Sequence, residues 1–153
     1  MPTTLDAAGR ARPESSSYAS VTVPSRVESI RLAAEFIVQA ARNMQVPTAA
    51  ESLFEVAVVE ALNNAVKHGN PAQRPDALIV CELELLDRRL TVRILDQGEG
   101  YVLPRAPQPE WTEDDISTVP ESGYGVSIIQ SVFPVVRTVV RSGEFGIEMT
   151  LTF

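Results

Sequence analysis

Glu60-Ala61-Leu62-Asn63-Asn64-Ala65-Val66-Lys67-His68-Gly69 is a run with apolar residues at helical spacing, interrupted by side chains for which a core has no use. Glu60 and Asn64 stand four residues apart, just over one turn, so both project from the same face of a helix. A carboxylate and a carboxamide beside an apolar face need partners, and a hydrated Mg2+ ion with phosphates supplies them. For this pair alone, an exposed polar stripe beside the core is the other reading. Thr48 and Glu51, after Pro47, form a Ser/Thr-x-x-Glu capping box that is expected to open this helix, and Gly69 is expected to stop it after His68.

Upstream, Val21 and Val23 alternate with Ser20 and Thr22, a half-buried strand over residues 18–23 closed by Pro24. Ser25 and Glu28 make a second capping box, after which Val27, Ile30, Ala34, Ile37 and Ala41 recur at helical spacing. Residues 1–17 are rich in Ala, Ser, Pro and Arg without an apolar period, so a disordered or weakly docked tail is expected ahead of one domain over 18–153.

Downstream, residues 77–86 place Ile79, Cys81, Leu83 and Leu85 on one face of a strand, with Glu82 and Glu84 on a solvated face opposite. Asp87-Arg88-Arg89 turns the chain into a second strand, Leu90, Val92 and Ile94, which ends at Asp96. Residues 101–122 contain four prolines, several acids and Trp111, more than a connection needs, and loops of that kind often act as lids. A short helix from about Gly123 to Phe133 precedes Pro134, and a last hairpin, 135–141 with 145–153, turns near Ser142-Gly143. Cys81 reads as an inert buried thiol, and Trp111 and Tyr101 as anchors fixing the loop to the core.

Two further motifs carry chemistry. Asp96-Gln97-Gly98-Glu99-Gly100 follows directly on an apolar strand. Its glycines let the backbone approach a flat ligand, and a strand-end carboxylate accepts a hydrogen bond from an exocyclic amine such as adenine N6. A plain Asp-x-Gly turn is the alternative. Glu121-Ser122-Gly123-Tyr124-Gly125-Val126-Ser127-Ile128-Ile129 leads glycines into an apolar helix, whose free N-terminal N–H groups suit a phosphate; a flexible helix entry capped by Ser122 explains the same residues.

The 153 residues, 44% of them hydrophobic, suffice for one domain with a full core. A net charge of −7 argues against direct nucleic-acid binding and for a protein partner. One cysteine cannot form an internal disulfide, and no apolar run is long enough to span a bilayer or to serve as a secretory h-region, so no membrane contact and a cytoplasmic location are expected.

Taken in order, the Glu-x-x-x-Asn helix, the strand ending in Asp-x-Gly-x-Gly, the long loop and the Gly-x-Gly helix entry resemble the N box and the two glycine boxes of the GHKL ATPases, the group that includes gyrase, Hsp90, histidine kinases and MutL. The form of the N box, ending Asn64-Ala65-Val66-Lys67-His68-Gly69, and Glu121-Ser122-Gly123-Tyr124-Gly125 before an apolar helix are similar to those of the bacterial anti-sigma factors that double as serine protein kinases. The transducer domain of gyrase- or MutL-like enzymes and the phosphoacceptor domain of a histidine kinase do not fit in a chain of this length.

That resemblance implies an α+β, Bergerat-type two-layer sandwich, a mixed but mainly antiparallel sheet with helices on one face. It implies ATP and Mg2+ as ligands: Glu60 as the base for an attacking serine hydroxyl, Asn64 on the metal, Asp96 on adenine, Gly98 and Gly100 beside the nucleotide, and Gly123, Tyr124, Gly125 and Val126 at the phosphates. The implied reaction is transfer of the γ-phosphate to a serine of an anti-anti-sigma factor of STAS fold, with sequestration of a sigma factor and homodimerisation. A nucleotide-responsive binding module with little kinase activity, or a kinase of STAS proteins outside transcription, are the competing readings. The chain departs from relatives at Gly146-Ile147-Glu148-Met149-Thr150, where a Gly-Thr-Thr-like segment is common. It also carries Glu121 ahead of Gly123, which leaves Arg105 and Lys67 to balance γ-phosphate charge.

Overall fold

The computed structural model describes residue 9, residues 16–98 and residues 125–153. The rest of the expected N-terminal tail, the long proline-rich loop, Gly100, Gly123 and Tyr124 lie outside the described residues. In chain order the elements are β1 (Ser16–Pro24), α1 (Val27–Asn43), a 3-10 turn (Pro47–Ala50), α2 (Ser52–Gly69), β2 (Leu78–Leu86), β3 (Arg89–Asp96), α3 (Gly125–Val132), β4 (Val135–Arg141) and β5 (Glu144–Thr152).

The strands form one five-stranded sheet in the order β1-β2-β3-β5-β4. Every neighbouring pair is antiparallel. Among the described residues the sheet is therefore wholly antiparallel rather than mixed: strands run parallel only as next-nearest neighbours, as β3 and β4 do across β5. Period-two alternation decides which side is covered. Register aligns Cys81, Ile94 and Ile147 in one row and Leu83, Val92 and Met149 in the next, all with essentially no exposure. The helices lie over this face in the order of the strands beneath them, α1 on β1 and β2, α2 on β3 and β5, α3 on β4. The fold is thus the two-layer α+β sandwich with its helices on one side. Cys81 sits within the core, its thiol pushed up to about 12 by burial and by the charge of Glu82.

The two capping boxes do not form. Residue Arg26 is the N-cap of α1 and makes no side-chain cap bond. Ser25 is held in the exit of β1 instead, its N–H donating to the Ala77 carbonyl at 2.8 Å and its own carbonyl accepting from Asn70 Nδ2 at 3.1 Å. At the second box, Glu51 N–H donates to the Thr48 carbonyl at 3.0 Å, closing the 3-10 turn, so α2 begins only at Ser52. The β4–β5 hairpin turns at Ser142-Gly143 as expected, with φ of 31° and 80°, the left-handed pair that a two-residue hairpin requires.

The opposite face of the sheet is not simply solvated. Residue Glu82 is 4% exposed and Glu148 6%, because arginines from neighbouring strands lie over them. In register, Glu82, Arg93, Glu148 and Arg137 form a row of alternating charge across β2, β3, β5 and β4. Arg93 reaches Glu148 at 2.7 Å and Glu84 at 3.3 Å, Arg137 reaches Glu148 at 2.5 Å, and Arg141 reaches Glu82 at 2.7 Å. Burial draws the Glu148 carboxyl up, but hydrogen bonds from Arg93 and Arg137 more than reverse this and leave it below the ordinary glutamate range.

Candidate functional site

α2 is the central helix, with α1 packed on one flank and α3 on the other. Phe54, Ala57, Val58, Ala61, Leu62 and Ala65 fill its buried face. The spacing that sends these inward turns Glu60 and Asn64 to the margin of that face, where both are half-buried.

α3 closes the margin from the other side. A Cβ placed on Gly125 would lie 2.7 Å from Glu60 Oε2, so the first residue of α3 touches the Glu60 carboxylate through its bare backbone. At the far end of α3, Phe133 packs on Phe54 with ring centroids 5.5 Å apart. Because Gly125 meets the middle of α2 and Phe133 meets its start, the two helices run antiparallel, and the N-terminal end of α3 faces Glu60. Val126 is 4% exposed and its side chain belongs to the core, so only its backbone is available to a ligand. Ser127, in the same turn, has a buried hydroxyl with no partner among the described residues.

The other pole lies where α2 and β3 both end. Asp96 is 1% exposed. Its Oδ1 accepts from Gly98 N–H at 2.8 Å, whereas Oδ2 is buried with no hydrogen-bond partner among the described residues. Burial raises the Asp96 carboxyl above its ordinary value, and the Gly98 bond offsets only part of this. Two glycines make the tight fit possible. A Cβ on Gly69 would fall 2.3 Å from Asp96 Cγ, and one on Gly98 would fall 2.6 Å from the Gly69 carbonyl oxygen. Sequence reading took Gly69 only as a helix stop; the signal that it belongs with Asp96 is a glycine at the end of the very helix that carries Glu60 and Asn64.

From Gly69 back to Glu60 is nine residues of helix, about 14 Å at 1.5 Å per residue. The site is therefore an elongated strip along α2, with an unsatisfied buried carboxylate at one end and a carboxylate facing a helix N-terminus at the other. The structure brings together Glu60 with Gly125, and Asp96 with Gly98 and Gly69, while Asn64 lies one turn from Glu60 toward the Asp96 pole. Lys67, expected as a candidate to balance γ-phosphate charge, lines a cavity on the α1 side of α2. His68 is exposed in the last turn of α2. The atypical segment Gly146–Thr150 lies inside β5, where Glu148 is engaged by arginines. Among the described residues no group of three or more His, Cys, Asp or Glu side chains is arranged to hold a metal.

Residues 23–153 match the family described as the histidine kinase-like ATPase domain. The chain is 30% identical over 92 residues to the serine-protein kinase RsbW of Staphylococcus epidermidis, a stretch covering 58% of each chain. It is 28% identical over 99 residues to the serine-protein kinase RsbW of Staphylococcus aureus, covering 63% of this chain and 62% of that one. The chain thus spans about three-fifths of the length of these curated relatives. Among solved structures, it is similar to the RsbU and RsbW domains of a Mycobacterium tuberculosis protein, with a TM-score of 0.57 and 15% identity over 92% of this chain and 32% of that chain, a likeness of fold.

Proposed function

The chain belongs to the histidine kinase-like ATPase domain family, and from that premise we propose that it is an ATP-dependent protein serine kinase and anti-sigma factor, acting on a STAS-domain anti-anti-sigma partner and holding a sigma factor in turn. The observation that carries the nucleotide half is Asp96: a buried carboxylate with one oxygen lacking a partner among the described residues, beside two glycines whose Cβ positions are already filled by backbone or by Asp96 itself. An amino group on a flat base satisfies that oxygen and needs the close backbone approach.

With adenine at Asp96, the phosphates extend along α2 toward Asn64, Glu60 and the start of α3. Asn64 offers its carboxamide oxygen to Mg2+, which, when bound, supplies neutralisation of phosphate charge. The N–H groups of Gly125 and Val126, together with those of Gly100, Gly123 and Tyr124, are assigned to the nucleotide. Glu60 takes the proton from the incoming serine hydroxyl as its oxygen bonds to the γ-phosphorus; the bond from that phosphorus to the β,γ-bridging oxygen breaks, and ADP leaves with the electron pair. The RsbW relatives, named as serine-protein kinases, support serine as acceptor. A cytoplasmic location and a homodimer belong to the same proposal, and no helix among the described residues is long and apolar enough to cross a membrane.

Transfer of labelled γ-phosphate from Mg-ATP to a candidate STAS partner tests it, with Glu60→Ala and Asn64→Ala beside the wild type. Transfer to serine that is lost in both variants is expected. Tight Mg-ATP binding with a stable partner complex and no transfer would replace the kinase with a nucleotide-set binding module. Transfer to a STAS protein without any sigma-factor complex would keep the enzyme and remove the anti-sigma role.

A further inference from the structure

On the α1 side of α2 lies a cavity of about 810 Å³, walled by the β1–α1 junction, the last turns of α2 and the turn that leads to β2. Its composition is out of keeping with a chain of net charge −7. Arg26, Lys67 and Arg74 line it, each from a different one of those three segments, against a single acid, Glu28.

These cations are unusual in a second respect. Arg31, Arg93, Arg137 and Arg141 are each bonded to a carboxylate, and Arg42 and Arg88 to a backbone carbonyl. Arg26, Lys67, Arg74 and Arg89 bond no described side chain or carbonyl through their charged groups, and three of these four line this one cavity. Two uncharged donors lie at the same place. α1 starts here with Arg26 as an N-cap that makes no side-chain bond; Ser29 N–H donates to the Arg26 carbonyl, which leaves the N–H groups of Val27 and Glu28, both in the cavity lining, as the helix's open donors among the described residues. Ser25, 6% exposed, also lines the cavity, and its buried hydroxyl has no partner among the described residues.

The scaffold around these groups is rigid. Asn70, itself 4% exposed, donates to the carbonyls of Ser25 and Arg74 at 3.1 Å each and accepts from Arg74 N–H at 2.9 Å, which ties all three walls together. The volume exceeds what a bare anion fills and falls within the range of small-molecule sites. Val27, Val66 and Pro75 supply apolar wall for the remainder.

We propose that this cavity is a second ligand site, separate from the nucleotide strip, that binds a small organic anion, a phosphate or carboxylate carried on an apolar body. The anion sits among Arg26, Lys67 and Arg74, taking hydrogen bonds from the first turn of α1 and, after rotation about χ1, from the Ser25 hydroxyl.

Titration of the full chain with phenyl phosphate, and separately with inorganic phosphate, tests the site. Backbone amide shifts are followed by two-dimensional NMR with Mg-ADP kept saturating to occupy the other site. Saturable shifts at residues 25–28 and 70–75 are expected, with phenyl phosphate tighter than inorganic phosphate. Arg74→Ala and Lys67→Ala should each weaken binding about tenfold, the worth of one charge-assisted hydrogen bond, while Arg89→Ala leaves it unchanged. Both substitutions remove exposed side chains, and well-dispersed spectra verify the fold. Shifts confined to residues 60–64 and 96–98, or equal effects of Arg74→Ala and Arg89→Ala, overturn the proposal. Equal affinity for the two phosphates overturns the apolar-body part of it. Saturation by an acidic hexapeptide but not by phenyl phosphate also overturns it, in favour of a groove for a protein partner.

Discussion

The two flanks of α2 hold opposite chemistry on the same helix. Toward α3, the helix presents Glu60 and Asn64, and Gly125 of α3 comes so close that a Cβ there would collide with the Glu60 carboxylate. Toward α1, it presents Asn63, Lys67 and Asn70 to an open cavity whose cations lack partners. The first flank is crowded by backbone and acidic; the second is roomy and basic. A helix laid across a sheet has two margins where polar side chains escape the core, and here the two margins differ in charge and in room.

The largest effect expected from separating the flanks is at Glu60. Glu60→Gln keeps the shape and removes the proposed base, so phosphoryl transfer should fall about 10²–10⁴-fold in single-turnover assays while nucleotide affinity changes little. A matching loss of affinity would move Glu60 from the chemistry to binding. Next is Asn70→Ala on the other flank, which deletes three hydrogen bonds and leaves the carbonyl of buried Ser25 without its Asn70 donor. It should cost about 2–3 kcal/mol in urea unfolding without altering the dissociation constant for ATP. A large change in that constant would show that the flanks are coupled.

Gly69→Ala forces a methyl group against Asp96 and should destabilise by about 2 kcal/mol, with loss of nucleotide binding exceeding that of Asn70→Ala. The smallest effect is at Asp96→Asn, where about 1 kcal/mol of nucleotide affinity, five- to tenfold in dissociation constant, should be lost by calorimetry. The free protein should become more stable in the same variant. Burial holds the folded pKa of Asp96 above the ordinary aspartate value of 3.8, so the native state binds the proton more tightly than the unfolded chain does. Stability of the wild type therefore declines as pH rises from near 3.8 through that raised pKa, and the decline disappears in Asp96→Asn. Glu148 acts in the reverse sense: lowered from 4.5, it stabilises above that value and loses its contribution as pH falls through its folded pKa, in wild type and variant alike.

The sheet was legible wherever periodicity is the signal. Alternation in β2, β3 and β5 identifies the inner face, and the Ser142-Gly143 turn is where its residues indicate. Helix starts were not, because the tripeptide spacing of Ser25–Glu28 and Thr48–Glu51 says nothing of what holds the intervening backbone. In the fold, the Ala77 carbonyl claims the N–H of Ser25, and the Thr48 carbonyl claims that of Glu51. Glu60, Asn64 and Asp96 stood out because each is polar where an apolar residue is expected. Gly69 did not, since its second neighbour in space lies 27 positions along the chain. The cavity was invisible for the same reason, its cations being dispersed over three segments. Glu82 read as wet because single-strand alternation cannot see Arg141 reaching across from β4.

The row of alternating charge on the outer face has a consequence for how the strands find one another. A slip of one residue between β3 and β5 would turn Arg93 toward Ile147 or Met149 and send Glu148 into the helical layer, so each misaligned pairing carries a buried ion without its counterion. Register errors are thereby rejected during assembly, and the end of β3, with Asp96 on it, arrives at one address beneath α2.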